Sequence, residues 1–186
     1  MHKFHQMNTD KWTTRIDTIT AEFIKEFGSL SAEQLNWKPN ATTWSIAQNI
    51  DHLIVINETY YPVIKDVKAG TYTLPFMGKL GFMVNFFGNL ILKSIQPENK
   101  KKIKTFPIWE PSKSALPADI LIKFENHQSD LKQLIRGSSD LLDKGTVISS
   151  PANKNIVYKL EKAYDIIVAH EQRHFNQAME VLAMNK

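Results

Sequence analysis

His170 and His174, in the stretch HEQRH, are four residues apart. On a helix that spacing displaces two side chains by only about 40° around the axis, so both imidazoles leave the same face and can reach one metal ion. The same face carries Ala163, Ile167, Ala178 and Val181, which turns it toward a protein interior. A third nitrogen ligand is available from His52, whose own helical face includes Ser45, Gln48, Asn49 and Thr59 and is too polar for an ordinary core stripe. Buried polar groups need partners, and a metal site supplies them. His52, His170 and His174 are therefore the candidate ligands of one divalent metal ion, zinc or nickel, both of which suit imidazole nitrogen. Glu171 lies about 100° from His170 around the helix, placed either to exchange a proton with water at the metal or to face solvent; it is the candidate catalytic group.

Neighbouring polar residues divide between two roles. Gln48, Asn49 and Thr59 serve either a substrate pocket or the hydrogen bonding of backbone and crossover groups. His127 faces inward beside Phe124 and Leu131, as a core residue or a partner to a ligand, and Arg173 falls off the ligand stripe as an ion-pairing residue. Trp44 is expected to staple the start of its helix to the core. His2 and His5 are expected at a solvated terminus.

Four helical patterns must position these side chains. The first spans about Thr9 to Phe27, with Trp12, Ile16, Ile19, Phe23 and Phe27 on one side and Gly28 as a stop. The second opens at Trp44 and Ser45, where Ser45 and Gln48 have capping-box spacing, and ends or kinks near Pro62. The third follows Pro117 and closes at Gly137; the fourth spans about Ile156 to Met184. A short helical turn at SAEQ repeats the capping-box spacing, and no segment alternates convincingly like a strand. Between the second and third helices, residues 70–116 form a long connection containing an amphipathic piece, Phe76 to Leu92, expected to pack on the domain. The expected fold is all-α: one domain over residues 1–186, an antiparallel four-helix bundle with a long crossover between helices 2 and 3.

Composition removes several classes of function. With no cysteine, disulfides, thiolate metal sites and a cysteine nucleophile are excluded. The opening MHKFHQMNTDKW lacks the apolar core of an export signal, so a cytoplasmic location is expected. Net charge is +4, and the only basic run, Lys100, Lys101, Lys102 and Lys104, lies between prolines with no interleaved aromatics, which describes a solvated loop rather than a nucleic-acid footprint. No apolar stretch is long enough to span a membrane, and neither nucleic acid nor membrane is an expected partner.

HEQRH also matches the H-E-x-x-H pattern of zinc proteases, but the third ligand of those enzymes normally lies downstream, and here only Glu180 follows as an acid, on another side of the helix. A different resemblance covers most of the chain. EQLNWKPNATTWSIAQNIDHL, with HEQRHFNQAMEVL over a hundred residues later, resembles the DinB (YfiT-like) superfamily of four-helix-bundle metalloproteins. The resemblance places Trp44 and Ser45 at the opening of helix two, His52 as the first ligand, His170 and His174 as the other two, and Gln177 at a trailing glutamine, a further pocket candidate. It implies a thiol-dependent S-transferase that activates a small-thiol cosubstrate such as bacillithiol, with a metal-dependent hydrolase acting through water as one alternative and a non-enzymatic, stress-related metal-binding bundle as another.

The fourth helix carries a second apolar stripe, Tyr164, Val168, Phe175, Met179 and Leu182. Two broad stripes exceed one inward face, so either the crossover or a second subunit should cover this one; a homodimer is the expectation.

Overall fold

In a computed structural model of the chain, residues 2–99, 105–111 and 115–185 are described, with side chains from Thr9 onward. The lysine run at 100–104 and the side chains of His2 and His5 lie outside the described residues. The helices are α1 (His2–Phe27), α2 (Ala32–Asn36), α3 (Ile46–Glu58), α4 (Tyr60–Ala69), α5 (Gly81–Ile95), α6 (Ile120–Gly137), α7 (Ser139–Asp143) and α8 (Leu160–Met184), with a β-hairpin of β1 (Val147–Ser150) and β2 (Asn153–Lys159). The four long patterns become α1, α3, α6 and α8, the bundle proper.

Local chemistry sets the helix ends. Both capping boxes form: Ser31 with Gln34 at α2, and Ser45 with Gln48 at α3. Each pair satisfies two backbone donors that the first turn of a helix leaves unpaired. The break expected near Pro62 falls at Thr59, where α3 gives way to α4 and the Thr59 hydroxyl bonds the Ile56 carbonyl at 2.6 Å.

Helix directions follow from the cross-helix pairs. Trp12 meets Asp165 and Phe23 meets Phe175, so α1 and α8 run parallel. Asn49 meets His174 while Asn57 meets Glu171, so α3 runs antiparallel to α8. Phe23 on Phe124 and Asp17 on Lys132 make α1 antiparallel to α6. The long crossover between α3 and α6 is what lets those two run in the same direction. The interior contains two apolar clusters, one around Trp12, Ile64, Leu131, Tyr158 and Tyr164, the other around Phe23, Phe27, Ile50, Leu53 and Phe124.

Two expectations are corrected. Residues 153–159 are strand, so the last helix starts at Leu160 rather than Ile156. Val157 and Tyr158 are consecutive and both buried, which erases the alternation that marks a half-exposed strand. The first helix starts seven residues earlier than Thr9, at His2. Part of the second stripe of α8 is met by α1: Phe175 packs edge-on against Phe23 and Tyr164 against Trp12, with ring centroids 5.2 and 5.3 Å apart, while Val168, Phe175, Met179 and Leu182 stay partly exposed.

The crossover straps the outside of α8. Its helix α5 passes so close to the hairpin that a Cβ at Gly88 would stand 2.9 Å from Lys162 Cγ and 3.3 Å from Tyr158 Cβ. Arg173 of α8 holds the far end, donating from Nη1 to the carbonyls of Ser94 (3.3 Å) and Asn99 (2.7 Å). The Ser94 carbonyl lies in the last turn of α5, where a helix leaves acceptors without intrahelical partners and favours positive charge, and Asn99 follows four residues beyond the helix end.

Candidate metal centre

The two apolar clusters leave a polar band between them at the level of residues 170–174, and the three histidines converge there from α3 and α8. His52 and His174 are buried, 1% and 6% exposed, whereas His170 is partly exposed. His52 Nε2 lies 3.4 Å from His170 Nε2, and His174 Nε2 lies 3.0 Å from the same atom. Two nitrogens each about 2.1 Å from a shared ion stand roughly 3.4 Å apart at a tetrahedral angle and roughly 3.0 Å apart at a right angle. The spacing is that of ligands around one ion.

Tautomers strengthen the case. His52 Nδ1 bonds the backbone carbonyl of Trp109, which can only accept, so the ring proton sits on Nδ1 and the Nε2 lone pair faces the cluster. His174 Nδ1 bonds Asn49 Oδ1 at 2.7 Å, while the Asn49 amide donates to the Ser45 carbonyl, which fixes the same tautomer for His174. His170 Nε2 can donate its proton, if it carries one, squarely to only one of these two lone pairs. A cation resolves the repulsion that remains, and neutral imidazole is the form that binds it. Burial is the main cause that keeps the rings neutral: it lowers the pKa of His52 to about 4 and those of His170 and His174 well below the ordinary value, helped for His170 and His174 by neighbouring histidines and Arg173. Among the described residues, this is the one cluster of histidine, aspartate and glutamate side chains whose donor atoms lie within 4.8 Å of one another.

A family model of the DinB superfamily matches residues 15–178, a span that includes all three histidines. The chain belongs to the DinB superfamily. No curated protein and no solved structure matches it.

The DinB bundle surrounds its histidines with groups that orient them. Trp44 lies against two of the rings, 4.8 Å from His52 and 5.9 Å from His174 between centroids, and nearly parallel to the latter. Asn49 is committed to His174, and Gln48 to the capping box through a 3.2 Å bond from the Ser45 amide. The Thr59 hydroxyl accepts from Trp109 Nε1 at 3.2 Å, which ties down the segment that presents the carbonyl to His52. Gln177, one turn beyond His174, is partly buried. Of the four pocket candidates, three thus spend hydrogen bonds on holding the ligands or their helix.

Glu171 is fully buried, and it faces neither solvent nor the histidine cluster. Its carboxylate accepts from Asn57 Nδ2 and Gln128 Nε2, both at 2.9 Å, and burial raises its pKa to about 7. His127 is buried nearby in the chain's fold, stacked face to face with Tyr61 at 6.1 Å and 6°, and is not one of the converging ligands. Sequence reasoning missed Trp109, Asn57 and Gln128. The first acts on His52 through its backbone carbonyl, which has no side-chain signature; the other two become partners of Glu171 only once the helices are side by side.

Asn49→Ala removes the acceptor that orients His174 without touching a ligand. Loss of such a hydrogen bond typically weakens metal affinity by about 10- to 100-fold. The expected result in competition titration with a chromophoric chelator is a drop in that range with unchanged stoichiometry, and affinity equal to wild type would show that the bond plays no part.

Acid pH should destabilise the apo protein. His127, its pKa lowered to about 4 by burial, contributes stability that is fully present above the unfolded value of 6.5 and is lost as pH falls toward 4. Glu171 acts in the opposite sense, since its raised pKa favours the fold at low pH and costs stability as pH rises from 4.5 toward 7. Four neutral histidines outweigh one carboxyl. Melting temperature is expected to fall from pH 6.5 to 4, with a shallower fall in His127→Gln; a profile that rises toward pH 4 would contradict these assignments.

Proposed function

We propose that this protein is a metal-dependent S-transferase that activates a small-thiol cosubstrate at the His52, His170 and His174 centre. The observation that carries the reading is the combination of three converging neutral imidazoles with no carboxylate among them. A divalent ion held there, zinc or nickel, would act as a Lewis acid that lowers the pKa of a thiol. A free thiol ionises near pH 8.5, so that assistance suffices without a general base. Activating water is a larger task, and among the described residues no carboxylate joins the histidine cluster; Glu171, next to His170 in the chain, has both oxygens engaged by amides inside the bundle. This favours transfer over the hydrolase alternative.

The residues of the chain do the positioning. Trp109 and Asn49 hold His52 and His174 in the tautomer that leaves Nε2 free, and the partial exposure of His170 marks the side from which a cosubstrate would enter. The apolar clusters on either side of the band exclude water from the ligand rings. The absence of cysteine is in keeping with a nucleophile that arrives with the cosubstrate.

The test is consumption of a haloalkyl or epoxide electrophile by zinc- or nickel-loaded protein with bacillithiol, cysteine or glutathione, alongside ester hydrolysis without thiol. Turnover that needs both thiol and metal and disappears in His52→Ala is expected. Metal-dependent ester hydrolysis with no thiol requirement would replace this reading with the hydrolase, and inactivity in both assays would leave a non-enzymatic bundle.

A further inference from the structure

The packing of α5 leaves half of an apolar helix unused. Val84, Gly88, Ile91, Leu92 and Ile95 turn toward the hairpin and α8. On the other side, Phe82, Phe86 and Leu90 recur every fourth residue and are 69%, 56% and 52% exposed, and Phe76 in the turn before the helix is 72% exposed. Single exposed apolar residues are ordinary, but three large ones in a row on an outer helix, with a fourth in the turn before it, are not.

Charge indicates what this face meets. Lys79 and Lys93 stand exposed at its two ends, and no acidic residue occurs between 67 and 97. Residues 67–109 contain seven lysines and one glutamate, so the rest of the chain is net acidic although the whole carries +4. A second copy is a poor fit: two-fold pairing of this stripe would bring Lys79 of one copy toward Lys93 of the other, with no carboxylate on either α5 to separate them. An aromatic and aliphatic stripe flanked by lysines is instead the pattern of a helix that lies in the headgroup region of an anionic bilayer, apolar side down. No helix among the described residues is long and apolar enough to cross a membrane, so the contact would be peripheral.

We infer that the outer face of α5, with Phe76, Phe82, Phe86 and Leu90 as its apolar contacts and Lys79 and Lys93 as its charged ends, docks the protein on an anionic membrane surface. This departs from the expectation of no membrane partner, since apolar length alone does not reveal an exposed amphipathic face. It does not depend on the metal centre or on the proposed reaction.

Co-sedimentation of the full chain with vesicles of phosphatidylcholine and phosphatidylglycerol in equal parts, and with phosphatidylcholine alone, tests it. Wild type is expected to bind the mixed vesicles and to release as salt is raised. Phe82→Ser with Phe86→Ser should weaken binding by at least about tenfold, since each ring forfeits apolar burial. Lys79→Glu with Lys93→Glu should weaken it on the mixed vesicles selectively. Both pairs are exposed, so helicity and melting temperature should match wild type. Absence of binding to the mixed vesicles, or binding indifferent to the Phe82 and Phe86 substitutions, would overturn the inference. So would a wild-type dimer in light scattering that those substitutions convert to monomer, because the face would then belong to a second copy.

Discussion

Chelation is expected to lower the melting temperature of the metal-loaded protein by roughly 10 °C and to leave that of a His170→Ala, His174→Ala variant unchanged. An ion present at about a thousand times its dissociation constant stabilises the folded state by roughly 4 kcal/mol, and in a chain of this size each kcal/mol moves the midpoint by about 2 to 4 °C. The apo protein should remain folded, because the two apolar clusters lie on either side of the histidine band and do not depend on it. The variant will have its own, lower, melting temperature from the lost ring packing. What matters is the difference with and without chelator: if that difference persists in the variant, the metal is held elsewhere.

Phe23→Ala is expected to be the most damaging single core substitution. Phe23 is wholly buried and touches three other rings, Phe27, Phe124 and Phe175, at centroid distances of 5.6, 4.9 and 5.2 Å. Its removal therefore leaves a cavity at the meeting of α1, α6 and α8. Phenylalanine-to-alanine changes in such cores cost about 3 to 5 kcal/mol. Urea denaturation should show that loss as a lower midpoint at unchanged slope; a cost under about 1 kcal/mol would mean that the three helices do not meet at this ring.

Much of this arrangement was legible in the sequence because it is written in helical periodicity. The ligand pair at 170 and 174 needs only the geometry of one helix, and the capping boxes at Ser31 and Ser45 need only three residues of spacing. His52 stood out because its face was too polar for a core stripe, and the structure shows why: Asn49 pairs with His174, Gln48 with the Ser45 amide, Thr59 with Trp109, and His52 with the Trp109 carbonyl. What was not legible depends on which helix lies beside which. Glu171 is one residue from a ligand, yet it turns away from the cluster because Asn57 and Gln128 offer it two amides. Tyr164 and Phe175 of the second α8 stripe meet α1 because α1 runs parallel to α8, a pairing that no spacing within α8 encodes. The hairpin escaped because β2 is buried on both sides near its end, and Trp109 because a carbonyl can come from any residue type.

X-ray absorption spectroscopy on protein purified without a metal-affinity tag and loaded with one equivalent of zinc or nickel tests the central claim most directly. One ion per chain is expected, with three imidazole nitrogens in its first coordination shell at about 2.0 to 2.2 Å and the imidazole signal falling in His52→Ala. An ion with fewer than two imidazoles in that shell, or a shell unchanged by His52→Ala, would contradict it.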